Sequence, residues 1–98
     1  MNFVENKFKD IAIIRNGIML FSKVNSILII KKCKEANILI LGLDGFTLFD
    51  NKIQPNIEYS IDFSATNYLR IEEDFYLDAI NFIISKSDNI YYEIICDD

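Results

Sequence analysis

Apolar and polar positions along the chain repeat with two different periods. Phe3/Val4, Phe8, Ile11 and Ile14 recur at roughly helical spacing, and Gly17 follows where a left-handed closing residue belongs. Residues 3–15 are therefore expected to form a short helix. Ile18 to Phe21 reads as an extended connection or short strand. Ser22 is a good N-cap for a helix over 23–36, with a seam through Val24, Ile27, Leu28, Lys31 and Glu35 that starts apolar and ends charged. Lys31, Lys32 and Lys34 suit the negative end of that helix's dipole, and Asn37 can close it in the left-handed conformation.

Ile38 to Leu43 is apolar apart from Gly42, the pattern of a central strand covered on both faces. Asp44-Gly45 then predicts a turn, Phe46 to Phe49 a short returning strand, and Asp50-Asn51-Lys52 a second turn. Residues 57–64 alternate strictly: Ile57, Tyr59, Ile61 and Phe63 against Glu58, Ser60, Asp62 and Ser64. That predicts a strand with one wet face carrying two carboxylates and two hydroxyls. Glu72, Glu73 and Asp74 open a last helix, about 73–85, with an inner stripe of Phe75, Tyr76, Ala79, Ile80 and Ile83. Ser87-Asp88-Asn89 turns the chain. Ile90, Tyr92, Ile94 and Cys96 alternate with Tyr91, Glu93 and Ile95 in a closing strand. Helices and strands mix without regular βαβ alternation. The expected fold is one α+β domain over residues 1–98, a mixed or largely antiparallel sheet of about four strands packed with two or three helices.

Composition sharpens this picture. At 98 residues, 51% of them apolar and with eight Phe and five Tyr, the chain can fill one core without staples. Its net charge of −5 is unevenly placed: residues 1–35 hold seven basic against three acidic residues, and residues 36–98 hold three against twelve. Such a C-terminal region repels phosphate backbones and attracts cationic partners. Cys33 and Cys96 are too few for a secreted disulfide framework, so both are expected as reduced thiols. Charged residues from Glu5 to Asp10 occupy the place of a signal peptide's apolar core, and the longest apolar runs fall short of the ~20 residues a membrane helix needs. These features point to a cytoplasmic protein with no membrane or nucleic-acid partner.

The residue types also limit the chemistry. There is no histidine, which removes the usual nucleophile activation and the commonest zinc ligand. No CxxC, GxGxxG or phosphate loop occurs, so neither metal nor cofactor is expected. Leu41-Gly42-Leu43-Asp44-Gly45-Phe46-Thr47 is similar to the DxDGT opening of haloacid-dehalogenase phosphatases, but the nucleophilic Asp would fall on Gly42 and Phe46 is inserted before Thr47. Glu58 and Asp62, four apart on a strand, would stand ~13 Å from each other, too far for glycoside hydrolysis. The chain is not expected to be an enzyme.

With Cys33-Lys34-Glu35-Ala36 in a helix, then Ile40-Leu41-Gly42-Leu43-Asp44-Gly45-Phe46, Ile53-Gln54-Pro55 and Ser60-Ile61-Asp62-Phe63-Ser64, the chain resembles the immunity proteins of anticodon-cleaving tRNase colicins and of related polymorphic and contact-dependent toxins. The resemblance runs over about residues 22–96. It implies a monomer, or a 1:1 heterodimer with a cognate basic nuclease toxin whose cationic RNA-reading cleft it plugs. The residues it would use are mostly acidic, with one aromatic and one hydroxyl: Asp44, Phe46 and Asp50 near the expected turn, Glu58, Ser60 and Asp62 on the alternating stripe, and Glu72, Glu73 and Asp74. The competing expectation is a non-enzymatic interaction or regulatory module for another basic partner.

Overall fold

A computed structural model describes residues 2–50, 52–63 and 74–97. Within them the chain runs α1 (Phe3–Phe8), a 3-10 turn (Lys9–Ile11), β1 (Ile13–Arg15), β2 (Ile18–Leu20), α2 (Lys23–Glu35), β3 (Leu39–Phe49), β4 (Lys52–Pro55), a 3-10 turn (Ile57–Tyr59), β5 (Ile61–Asp62), α3 (Phe75–Ile84) and β6 (Ile90–Asp97). The fold is α+β, with two antiparallel sheets, β1–β2 and a four-stranded sheet built on β3.

β3 is the spine. β6 pairs along one edge from Leu39↔Asp97 to Thr47↔Ile90, with a bulge between Ile40 and Gly42. On the other edge β4 pairs with residues 46–49 and β5 with Gly42 and Leu43. Between them Asn56 N–H donates to the Gly45 carbonyl, and Gly45 N–H donates to Ser60 Oγ. Residues 52–63 are thus one strand interrupted by a 3-10 turn.

The core lies between the sheet's inner face and the helices. Ile29, Ile30 and Cys33 of α2, Ala79 and Ile83 of α3, and Ile40, Leu43, Ile90 and Tyr92 of the sheet are all essentially inaccessible. Full burial of an aliphatic or aromatic side chain contributes about 1.5–3 kcal/mol, so this cluster dominates stability. α2 starts where expected: Ser22 Oγ accepts from Asn25 N–H, and Asn37 beyond its end adopts φ 58°. α3 is capped by Asp74, whose side chain accepts from Leu77 N–H.

The structure departs from the sequence reading in four places. Residues 3–15 are not one helix. α1 ends at Phe8, and Asn16-Gly17, with φ of 51° and 76°, is the two-residue turn of the β1–β2 hairpin. Two successive positive φ values match a type I′ turn, for which Asn-Gly is the preferred pair. α2 buries Ser26, Ile29, Ile30 and Cys33, whereas Val24 is 76% exposed. The expected seam ended on Lys31 and Glu35; the buried stripe stays uncharged to its end at Cys33.

Asp44-Gly45 is no turn. Both residues lie inside the eleven-residue β3, and Phe46–Phe49 continues the same strand. Gly45 is required by packing: a Cβ there would stand 2.3 Å from Tyr59 Cβ and 2.4 Å from the Tyr59 carbonyl oxygen. Lastly, residues 57–64 do not form one alternating strand. The Asn56 side chain accepts from Glu58 N–H and starts the 3-10 turn at Ile57, which is 88% exposed. Only Ile61 and Asp62 are extended in β5, and Ser64 lies outside the described residues.

Candidate functional site

Side chains of paired residues in an antiparallel ladder project to the same face. Tyr92 and Gly45 belong to the inner face, so their neighbours Phe46↔Tyr91 and Asp44↔Glu93 project to the opposite one, and so, in the same unbroken register, does Gly42↔Ile95. β5 adds Asp62, opposite Gly42, and β4 adds Pro55, opposite Phe46. This outer face carries the candidate site.

Its apolar part is Phe46, 6% exposed between its two cross-strand neighbours Pro55 and Tyr91, and outside the main core cluster. Ile57 projects beside it from the 3-10 turn. Its acidic part is Asp44 with Glu93, and Glu5 of α1. Partial burial pushes the Glu93 carboxyl above its usual range, and the charges of Asp44 and then Glu5 push it further the same way. Among the described residues the ion pairs are Lys23–Asp88, Lys32–Glu35 and Lys34–Asp74, and none touches these three carboxylates.

Three adjoining hollows run across this face. One of about 250 Å³ lies between β6 and the hairpin, lined by Glu5, Met19, Phe21, Glu93 and Ile95 among others. Ile95 passes it to a second, with Gly42, Asp44, Ile61 and Asp62. Asp44 passes that to a third, with Phe46, Pro55, Asn56, Ile57 and Ser60. The result is a shallow belt with apolar floor and acidic centre, suited to a cationic protein surface rather than to a small molecule.

The sequence-derived candidates sort unevenly on this geometry. Asp44, Phe46 and Asp62 share the outer face. Ser60 joins it through structure: its hydroxyl donates to the Asn56 carbonyl and accepts from Gly45 N–H. Glu58 is exposed on the flanking 3-10 turn and does not form a stripe with Asp62. Asp50, with φ 54°, turns the chain between Phe49 and Lys52, about 20 Å from Asp44 at the usual strand rise. Asp74 sits in the helical layer, where it caps α3 and pairs with Lys34; that lysine and the Leu77 amide hold its carboxyl below the usual range. Glu72 and Glu73 lie outside the described residues.

Sequence reasoning missed Glu5, Glu93, Tyr91 and Ile95. The alternation of Ile90 to Cys96 already separates Tyr91, Glu93 and Ile95 from the inner set. It does not say that Glu93 stands opposite Asp44, because alternation within one strand gives the face of a residue and not its register against a strand some fifty positions away.

Among the described residues no group of three or more His, Cys, Asp or Glu side chains could hold a metal ion, and no helix is long and apolar enough to cross a membrane. Cys33 is buried, Cys96 is half-buried, and no disulfide joins them. No family model matches the chain, and no curated protein or solved structure matches it.

Proposed function

We propose that this chain is a non-catalytic, cytoplasmic inhibitor of the immunity type, which binds a basic nuclease toxin one-to-one through the outer face of its sheet and covers the toxin's RNA-binding cleft. The observation that carries the binding half of this reading is the in-register pair Asp44–Glu93 with Glu5 nearby, like charges held together beside buried Phe46 without a basic partner among the described residues. Like charges directly opposite in a sheet are destabilising, and an approaching lysine or arginine reverses the sign of that interaction. Acidic residues that mimic the phosphates a nuclease reads also speed encounter with its cleft. The nuclease half rests on the sequence resemblance over residues 22–96.

The test is whether the gene directly upstream encodes a basic C-terminal nuclease domain and, where it does, co-expression of this chain with that domain. The expected outcome is co-purification as a 1:1 complex and survival of cells that otherwise die from the nuclease. A chain that neither binds nor protects rules the immunity reading out; binding without protection leaves a module for a basic partner that does not block the active site.

A further inference from the structure

The β1–β2 hairpin and β6 leave two strand edges facing each other across the 250 Å³ cleft. Phe21 and Tyr92 exchange both main-chain hydrogen bonds, at 2.9 Å each. A ladder continuing from that bridge would set Met19 opposite Ile94 and Gly17 opposite Cys96. Instead β2 turns away to pair with β1, and Met19 and Gly17 form the far wall of the cleft.

The alternation of antiparallel ladders fixes which groups are left over. Tyr92 bonds outward to Phe21 and Gly45 bonds outward to Ser60, so Asp44–Glu93 is the hydrogen-bonded pair of β3–β6. The next residue, Ile94, therefore aims its N–H and C=O away from β3 and into the cleft. Its side chain is buried in the core, so its main chain is what it offers there. In the hairpin, the two-residue turn makes Arg15–Ile18 the closing hydrogen-bonded pair, and Met19 then points its N–H and C=O away from β1, towards the same space. Neither residue's main chain finds a partner among the described residues.

We infer that this cleft is a strand-addition slot: an extended segment of the basic partner lies between Ile94 and Met19, joining the hairpin to the main sheet. Extended peptides add to open sheet edges in this way, with main-chain bonds giving affinity and alternate side chains giving specificity. A guest residue opposite Ile94 shares that residue's face. Its two neighbours then project to the outer face, alongside Glu93 and Ile95, with Glu5 at the cleft wall. The slot therefore favours an apolar or β-branched residue flanked by lysine or arginine. A long cationic side chain can lay its stem on Ile95 and its head between the carboxylates. The basic character of the partner rests on the proposed function; the slot rests on main-chain geometry.

The experiment is a titration of the 15N-labelled full chain with the peptide acetyl-Thr-Lys-Val-Arg-Thr-amide, and with its N-methyl-Val analogue, followed by amide shifts. The expected result is movement of the Ile94 and Met19 amides by the first peptide, about tenfold weaker binding by the analogue, and a similar loss in the Glu5→Gln/Glu93→Gln protein. Gln at position 5 preserves the α1 capping box with Asn2. Three results overturn the slot: unmoved Ile94 and Met19 amides at millimolar peptide, equal binding of the N-methyl analogue, or strong protection of both amides from exchange in the free protein, which would mean the hairpin closes on β6 itself. If the upstream nuclease domain binds but leaves these two amides unmoved, the slot fails and the inhibitor reading stands. If the peptide binds as expected and that domain does not, the reverse holds.

Discussion

Asp44 and Glu93 stand directly opposite each other on the central strand pair, two carboxylates in hydrogen-bonded register. Cα atoms in such pairs are about 5.5 Å apart, and charges at that range repel by roughly 1 kcal/mol in a solvated setting. The sheet tolerates this because Phe46, Tyr92 and the core beneath supply far more.

Replacing Glu93 by Gln should therefore stabilise the protein near neutral pH, by about 0.5–1 kcal/mol in urea melts. The sign follows from proton linkage. The folded state holds the Glu93 carboxyl above its ordinary value of 4.5 and so takes up its proton more readily than the unfolded chain. Its contribution is most favourable below pH 4.5 and declines as pH rises through the raised folded value. The advantage of Gln should accordingly be largest at pH 7 and vanish near pH 4. An advantage independent of pH would show that charge at Glu93 is not the cause.

Gly45→Ala should be costly for a reason unrelated to glycine's backbone freedom. The only positive-φ glycine among the described residues is Gly17, where an added methyl group would meet nothing within 4 Å; at Gly45 the methyl collides with the Cβ and carbonyl of Tyr59. Overpacking of this kind costs typically about 1–3 kcal/mol, and here the colliding atoms cannot swing aside. Gly17→Ala should cost about 1 kcal/mol through strain alone. Thermal melts of both variants check the ranking, and amide spectra of the Gly45→Ala protein should show the 3-10 turn at residues 57–59 displaced.

Tyr92 is wholly buried, and its hydroxyl has no hydrogen-bond partner among the described residues. Burial first, and the neighbouring Tyr59 second, push the phenol up to about 12. Stranding a hydroxyl in the core costs about 1–3 kcal/mol, so Tyr92→Phe should leave stability unchanged or raise it by about 1 kcal/mol. A loss of more than about 1 kcal/mol would mean the hydroxyl has a partner in solution.

Local signals were legible wherever local chemistry decides the outcome. Ser22 and Asn37 bracket α2 through cap and left-handed closure, and the alternation from Ile90 to Cys96 is that of a strand. Asn16-Gly17 is an equally local hairpin signal, but the helical spacing of Phe8, Ile11 and Ile14 made Gly17 read as the end of a helix. What the chain could not disclose locally was contact between distant segments. Gly45 looks like half of a turn until Tyr59, fourteen residues later, is packed against it. The face of α2 was ambiguous because apolar residues cover most of its circumference, and the helix's first half alone does not choose. The candidate site shows the same split: Asp44 and Phe46 were found beside the Asp44-Gly45 pair and Asp62 in the alternation of residues 57–64, while Glu93 and Glu5 join them only through strand register and the placement of α1.

The last prediction separates binding residues from acids with structural duties. Neutralising the central pair, Asp44→Asn with Glu93→Gln, removes two like charges and should not harm folding. It should slow association with the upstream nuclease domain by about tenfold or more at low salt, and flatten the salt dependence of the rate, since steering by complementary charge acts chiefly on association. Glu58→Lys, on the exposed flank, should slow association less. Asp74→Ala should do the opposite of the central pair: lose about 1 kcal/mol of stability with its helix cap and its exposed pairing to Lys34, yet leave the association rate unchanged, because α3 lies on the far side of the sheet. Stopped-flow rates at two salt concentrations, with urea melts of the same proteins, supply both readouts. If Asp74→Ala slows binding as much as the central double variant, the partner engages the helical layer and the outer face is not the docking surface.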